Sequence, residues 1–176
     1  MRRLAALALA FSVAAPVWTA PAWAAAPEPS KPVDPARFSG RWYEFARLPN
    51  SNQRDCQAPT YDWTRDPKGE LGITLTCRAG SPTGKASTRR AKAAVIPGSN
   101  NAKLRVSFLG GVVKVEYRIL DHAPDYSWVL MGTDGGNYLW ALSTRPNPSQ
   151  AVKDAAVARA KALGYPTARF EYPRQG

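Results

Sequence analysis

The chain has 176 residues, with 24 Lys and Arg against 13 Asp and Glu, and a formal net charge of +11. That length suits one domain, with or without a processed leader, and excludes a multidomain enzyme. A hydrophobic content of 44%, including six Trp, seven Tyr and five Phe, excludes wholesale disorder. Sixteen Pro and thirteen Gly scattered between short apolar runs argue against a helical bundle, and the single histidine, His122, removes most metal-site and histidine-dependent catalytic chemistry.

Residues 1–24 read as a secretory signal peptide. Arg2 and Arg3 form a basic start, residues 4–13 are an uncharged apolar run too short to span a bilayer, and Ala22-Trp23-Ala24 carries the small-x-small pattern of a cleavage site. Cleavage there leaves 152 residues, and the net charge falls to +9 because Arg2 and Arg3 leave with the peptide. No cysteine precedes Cys56, so the expectation is a periplasmic or secreted protein that is not a lipoprotein. An oxidising compartment favours a disulfide between Cys56 and Cys77, the only two cysteines, 21 positions apart. Closing such a loop stabilises by about 3 kcal/mol on the chain-entropy scale. Neither cysteine has a neighbouring histidine to activate it as a nucleophile.

After the leader, residues 25–36 are Pro-rich and aperiodic, and read as a flexible lead-in to a domain at 37–174. The first strand is expected at 41–48 (RWYEFARL), followed by a long polar loop at 49–59. A second strand at 60–65 ends in the turn Asp66-Pro67-Lys68-Gly69. A third at 71–78 alternates Ile73, Leu75 and Cys77 against Thr74 and Thr76, and a basic, weakly patterned fourth runs over 84–96. The alternation then sharpens: 103–108 sets Leu104, Val106 and Phe108 on one face, and after Gly110-Gly111 the next strand sets Val113, Val115, Tyr117 and Ile119 together. Strands at 126–132 and 137–144 join through Asp134-Gly135-Gly136, a hairpin signal. These eight candidates with short connections suit an up-and-down antiparallel barrel, whose closure removes exposed edges. One α-helix follows, capped at Asn147 with Pro148 in its first turn; its apolar stripe is Val152, Ala155, Ala156, Ala160 and Leu163, and Gly164 stops it. Residues 168–172 read as a short final strand.

From Gly40-Arg41-Trp42-Tyr43-Glu44 onward the sequence resembles the lipocalin family, in particular bacterial lipocalins similar to apolipoprotein D. The G-x-W signature opens the first strand as it does in that family. Residues 121–132 (DHAPDYSWVLMG), centred on Asp125-Tyr126, resemble the second conserved segment, and residues 137–146 (NYLWALSTRP) the third. The resemblance implies an all-β, eight-stranded lipocalin barrel with one C-terminal helix and a short final strand, and it spans residues 33–174. One departure stands out. The family's arginine precedes its proline by two positions, whereas Arg145 lies directly before Pro146. A one-residue shift reverses the face of a strand side chain, so the family contact of this arginine over Trp42 is expected here only through a bulge. The Cys56–Cys77 pairing is similar to that of a lipocalin subset in which the bridge pins the first long loop beside the open mouth.

The family barrel implies a pocket for one small hydrophobic ligand. Alternation offers Val115 and Tyr117 as its lining; the resemblance turns the shared face of Tyr138, Trp140 and Leu142 inward, with Val129 and Met131 as the matching set on the preceding strand, and if Trp42 points inward, so do Glu44 and Ala46. The same aromatic residues would serve equally as plain core. The lining face of 103–108, Val106-side or Ser107-side, stays open at this point. A buried Glu44 needs a partner, with Arg47, Arg105 and Arg118 as candidates, unless it lies near the surface. Arg89, Arg90 and Lys92 form either a solvated face, the preferred reading for most of them, or an attractor for anionic head groups. The expected function is binding of a fatty acid or lysophospholipid for storage or transport, with no cofactor, no metal and no catalytic residue. The alternatives are an enzyme on the same barrel acting on a small hydrophobic substrate, for which His122 reads as a loop residue rather than a base, and a basic protein adsorbed to an anionic membrane surface. Nucleic acid is not an expected partner, since no RNA- or DNA-binding motif accompanies the positive charge.

Overall fold

A computed structural model describes residues 25–176; the signal peptide read at 1–24 lies outside the described residues. After a four-residue helix α1 (Pro35–Phe38), eight strands follow: β1 (Gly40–Arg47), β2 (Cys56–Arg65), β3 (Leu71–Ala79), β4 (Ala86–Val95), β5 (Lys103–Phe108), β6 (Val113–His122), β7 (Trp128–Thr133) and β8 (Leu139–Ser143). Each pairs antiparallel with its sequence neighbour, and β1 pairs with β8 to close the barrel. The second strand begins four residues earlier than its pattern predicts, because Cys56 and Gln57 pair with Ala79 and Arg78 of β3 ahead of a bulge that ends at Thr60. The loop between β1 and β2 is correspondingly shorter.

Alternation makes one end a floor and the other a mouth. Loops 48–55, 80–85, 109–112 and 134–138 surround the mouth; α1 and loops 66–70, 96–102 and 123–127 surround the floor. The inner core includes Trp42, Trp63, Ile73, Val106, Ile119 and Met131. The face of β5 left open by the sequence is therefore the Leu104, Val106 and Phe108 face, which packs inward.

Strands β7 and β8 are buried along their whole length, because helix α2 (Gln150–Ala162) covers their outer face. Ala156 and Ala160 share an outer core with Leu120, Leu130, Leu139 and Ala141, and their small side chains let the helix approach the sheet closely. Ala155, expected on the stripe, is exposed, and Val157 takes its place. The helix also starts later than expected: Ser149, not Asn147, is the cap, its Oγ accepting from the Val152 N–H. Gly164 adopts φ +89°, the left-handed stop.

Residues 168–172 do not form a strand. A helical turn, Thr167–Arg169, is followed by a single bridge between Arg47 and Glu171, at the mouth end of β1 beyond its pairing with β2, which stops at Tyr43. The lead-in segment runs along the wall, with the Ala26 N–H donating to Asp134 O (2.9 Å) and the Val33 N–H to Asn100 O (2.9 Å).

Asp121 ties three elements together. It faces outward from β6, pairs with Lys31 Nζ of the lead-in (2.8 Å) and with Arg159 of α2, and accepts the His122 N–H at 2.7 Å. Burial works to raise its pKa, and these partners outweigh it, holding the carboxyl below its ordinary value. A depressed folded pKa means stabilisation that is complete above the unfolded value of about 3.9 and lost as pH falls through the folded one. Asp121→Asn is expected to cost about 1.5–3 kcal/mol at pH 7. Urea unfolding of both proteins at pH 7 and pH 3 checks this: the gap between them narrows in acid.

Candidate ligand cavity

The site begins with a bulge. Glu44 faces Leu142 and Arg47 faces Trp140, while Phe45 and Ala46 share the step between them. The extra residue sends both Phe45 and Ala46 to the helix-covered outer core, correcting the inward placement of Ala46, and returns Arg47 to the inner face beside Glu44. The candidate partners thereby resolve to Arg47: its Nη1 lies 2.7 Å from Glu44 Oε1. Arg118 is engaged outside with Glu28 and Glu116, and Arg105 is exposed on β5.

Glu44 has no solvent exposure. Tyr61 Oη donates to its Oε2 at 2.6 Å and Gln53 Nε2 at 2.7 Å. Gln53 sits on the turn Ser51–Gln53 of the β1–β2 loop, and its Oε1 accepts the Trp140 indole N–H at 2.6 Å. Burial pushes the Glu44 carboxyl above the usual range, with Arg47, Tyr61 and Gln53 pulling it part of the way back. Burial, together with the adjacent Glu44 charge, drives the Tyr61 hydroxyl well above its ordinary value. The Cys56–Cys77 disulfide closes the same region, with Cα atoms 5.4 Å apart, and the Arg47 guanidinium donates to Cys56 O. A loop over the mouth is thus seated by a buried ion pair and a covalent bridge.

The predicted lining divides into two groups. Val129, Met131, Leu142 and Glu44 are fully enclosed and fill the β7–β8–β1 side. Val115 and Tyr138 are half-buried, and Tyr117 and Trp140 each retain 7% exposure. Tyr117 meets Trp140 edge to face at 5.7 Å, and Tyr138 stacks on Trp140 at 5.9 Å. The accessible wall is on the other side of the barrel, where Leu75, Ala91, Ala93 and Phe108 pack against the inner core yet remain partly exposed. Leu75, Ala91 and Phe108 are missing from the sequence-based set, as is Arg89. The signal for Arg89 and Ala91 is the period of two in residues 89–95, blunted because alanine occupies both faces, whereas Leu75 and Phe108 lie in the alternating runs of 71–78 and 103–108.

The family motifs gather at the floor. Gly40 opens β1 at φ +105°, a conformation suited to glycine. The Trp42 indole N–H donates to Phe38 O of α1 at 2.8 Å, with the two rings 5.7 Å apart. Asp125 Oδ1 caps the Ser127 N–H, and Tyr126 Oη accepts the Asp34 N–H. Arg145 does not cover Trp42. It is exposed and makes no cation–π contact among the described residues, because β8 ends at Ser143 without a bulge and the one-residue shift turns it outward. The cation over an aromatic ring at this end is Arg37, 4.5 Å from the Tyr126 centroid. His122 lies at the end of β6, stacked on Tyr126 and facing the carbonyls of Ala123 and Pro32.

Comparison with known proteins matches the Lipocalin-like domain family over residues 33–175. The outer membrane lipoprotein Blc of Vibrio cholerae is 30% identical over 154 residues, covering 85% of this chain and 88% of that protein. Blc of Escherichia coli K12 is 27% identical over 143 residues, covering 81% and 79%. Among solved structures, insecticyanin of Manduca sexta superposes with a TM-score of 0.68 at 17% identity, covering 85% and 84% of the two chains, a likeness of fold alone.

Proposed function

From a chain that belongs to the lipocalin family, we propose an exported carrier or store that binds a small hydrophobic ligand, a fatty acid or lysophospholipid, inside its barrel. The observation behind this reading is the lopsided interior: a closed barrel whose β7–β8 side is filled and whose β3–β6 side turns half-exposed apolar side chains inward. Val115, Tyr117, Tyr138 and Trp140 are the proposed contacts from the later strands, with Leu75, Ala91 and Phe108 opposite them. Binding rather than catalysis fits the one inward carboxylate, Glu44, which is committed to Arg47, Tyr61 and Gln53.

Both bacterial relatives above carry the name outer membrane lipoprotein, which supports placement in the cell envelope. The reading here is a periplasmic or secreted protein, a compartment in which the Cys56–Cys77 disulfide persists. The mouth also suits contact with an anionic membrane surface: Leu109 and Val112, at the tip of the β5–β6 hairpin, are 76% and 84% exposed, and Lys114 follows them. Salt weakens surface attraction and leaves cavity burial largely unchanged.

Titrating the exported protein with palmitate while following tryptophan fluorescence tests the carrier reading, alongside native mass spectrometry of co-purified lipid. One-to-one saturable quenching is expected, weakened at least several-fold in Trp140→Ala with the barrel still folded. Silence across fatty acids and lysophospholipids would overturn it.

A further inference from the structure

We propose that the Arg89 guanidinium, exposed on the mouth half of β4, and the Tyr117 hydroxyl form an anion-binding subsite at the mouth of the barrel, which takes the carboxylate or phosphate head of a single-chain amphiphile. This rests on the carrier reading above and adds to it the chemistry of the head group and its position.

The register of β4 separates its cations. Ala91, Ala93 and Val95 pack against the inner core, so alternation turns Arg89 inward as well. Arg89 lies opposite Leu75, another inner-core contact, in the β3–β4 ladder. Arg90 and Lys92 point outward, and Lys92 Nζ pairs with Glu70 on the outer surface at 3.2 Å. Of the basic cluster on this strand, Arg89 alone addresses the cavity. Among the described residues its guanidinium makes no side-chain hydrogen bond or ion pair. The one inward carboxylate, Glu44, already accepts from Arg47, Tyr61 and Gln53.

Tyr117 supplies the second donor. Its hydroxyl has no acceptor among the described residues, although the residue is only 7% exposed. Burial pushes its pKa up to about 12, and the Arg89 charge acts in the opposite direction, which places the guanidinium within electrostatic reach of the hydroxyl. At neutral pH the phenol therefore keeps its proton and donates. A fixed cation and a neutral donor, both unpaired and flanked by Leu75, Ala91, Phe108 and Val115, suit an anion attached to an apolar chain. Charge-assisted hydrogen bonds to such a head are roughly twice as strong as neutral ones.

The test compares palmitate, palmitoyl lysophosphatidic acid, hexadecanol and inorganic phosphate on the mature protein and on Arg89→Gln, Tyr117→Phe and Arg90→Gln. Palmitate and the lysophosphatidic acid are expected to bind the wild type at least about tenfold more tightly than hexadecanol, a difference of about 1.4 kcal/mol. Arg89→Gln abolishes that preference while hexadecanol binding stays within about twofold, which also reports that the barrel is folded. Tyr117→Phe reduces the preference several-fold, Arg90→Gln leaves it intact, and inorganic phosphate at millimolar concentration does not displace palmitate. Equal binding of acid and alcohol by the wild type would overturn the subsite and leave the carrier reading standing. A preference that survives Arg89→Gln would place the head elsewhere, and displacement by inorganic phosphate would make the site one for free anions. Failure of every amphiphile would remove the carrier reading and this subsite together.

Discussion

Glu44→Leu is expected to lower stability by about 3–5 kcal/mol, the cost of leaving a buried guanidinium without its main partner. Arg47 is 3% exposed and would keep only Glu171, a carboxylate nearly half in solvent, and backbone carbonyls. Tyr61 and Gln53 would lose their acceptor as well. Adding Arg47→Met removes the stranded charge, so the double variant should recover much of the loss, because well-packed apolar pairs often replace buried ion pairs without penalty. Guanidinium chloride unfolding of the wild type, both single variants and the double variant gives the coupling directly. Additive losses would mean that the two groups do not stabilise each other. The pH dependence has the opposite sign to that of Asp121. A carboxyl whose folded pKa is raised holds its proton more tightly in the folded state, so this site gains stability as pH falls from the raised folded value toward the unfolded one of about 4.3.

Trp42→Ala is the second large effect, about 3–5 kcal/mol from cavity formation under the floor. Trp42 is 1% exposed, carries the hydrogen bond to Phe38 O and packs on the Phe38 ring, so α1 should loosen with it. Arg145→Ala is the informative contrast. If the family arginine contact were present, removing it would uncover Trp42; the exposed Arg145 of this structure predicts a change within about 0.5 kcal/mol. Thermal and denaturant unfolding of the two variants separates the cases, and a loss above about 1 kcal/mol for Arg145→Ala would contradict the outward placement.

The fold was legible because its signals are local. Alternation in 103–108 and 113–119, the Asp134-Gly135-Gly136 hairpin and the Gly-x-Trp opening each depend on a few adjacent residues. The register-dependent features were not. Period-two counting carries Ala46 inward with Trp42 and Glu44, and only the pairing of β1 with β8 reveals the bulge that sends Ala46 outward and Arg47 in. The same counting brings Val129, Met131 and Leu142 to the inner face correctly, yet gives no measure of how full that side is.

By itself, the sequence determined that the chain makes an antiparallel barrel with a helix packed outside it, because hydrophobic period and turn chemistry are properties of neighbouring residues. It also determined that Cys56 and Cys77 had only each other as partners. Tertiary structure decided which cation meets Glu44 and which side of the barrel leaves its inner-core apolar side chains half-exposed. Those outcomes depend on bulges, on closure and on residues up to 131 positions apart, such as Gln175 donating to Glu44 O, and no local pattern encodes them.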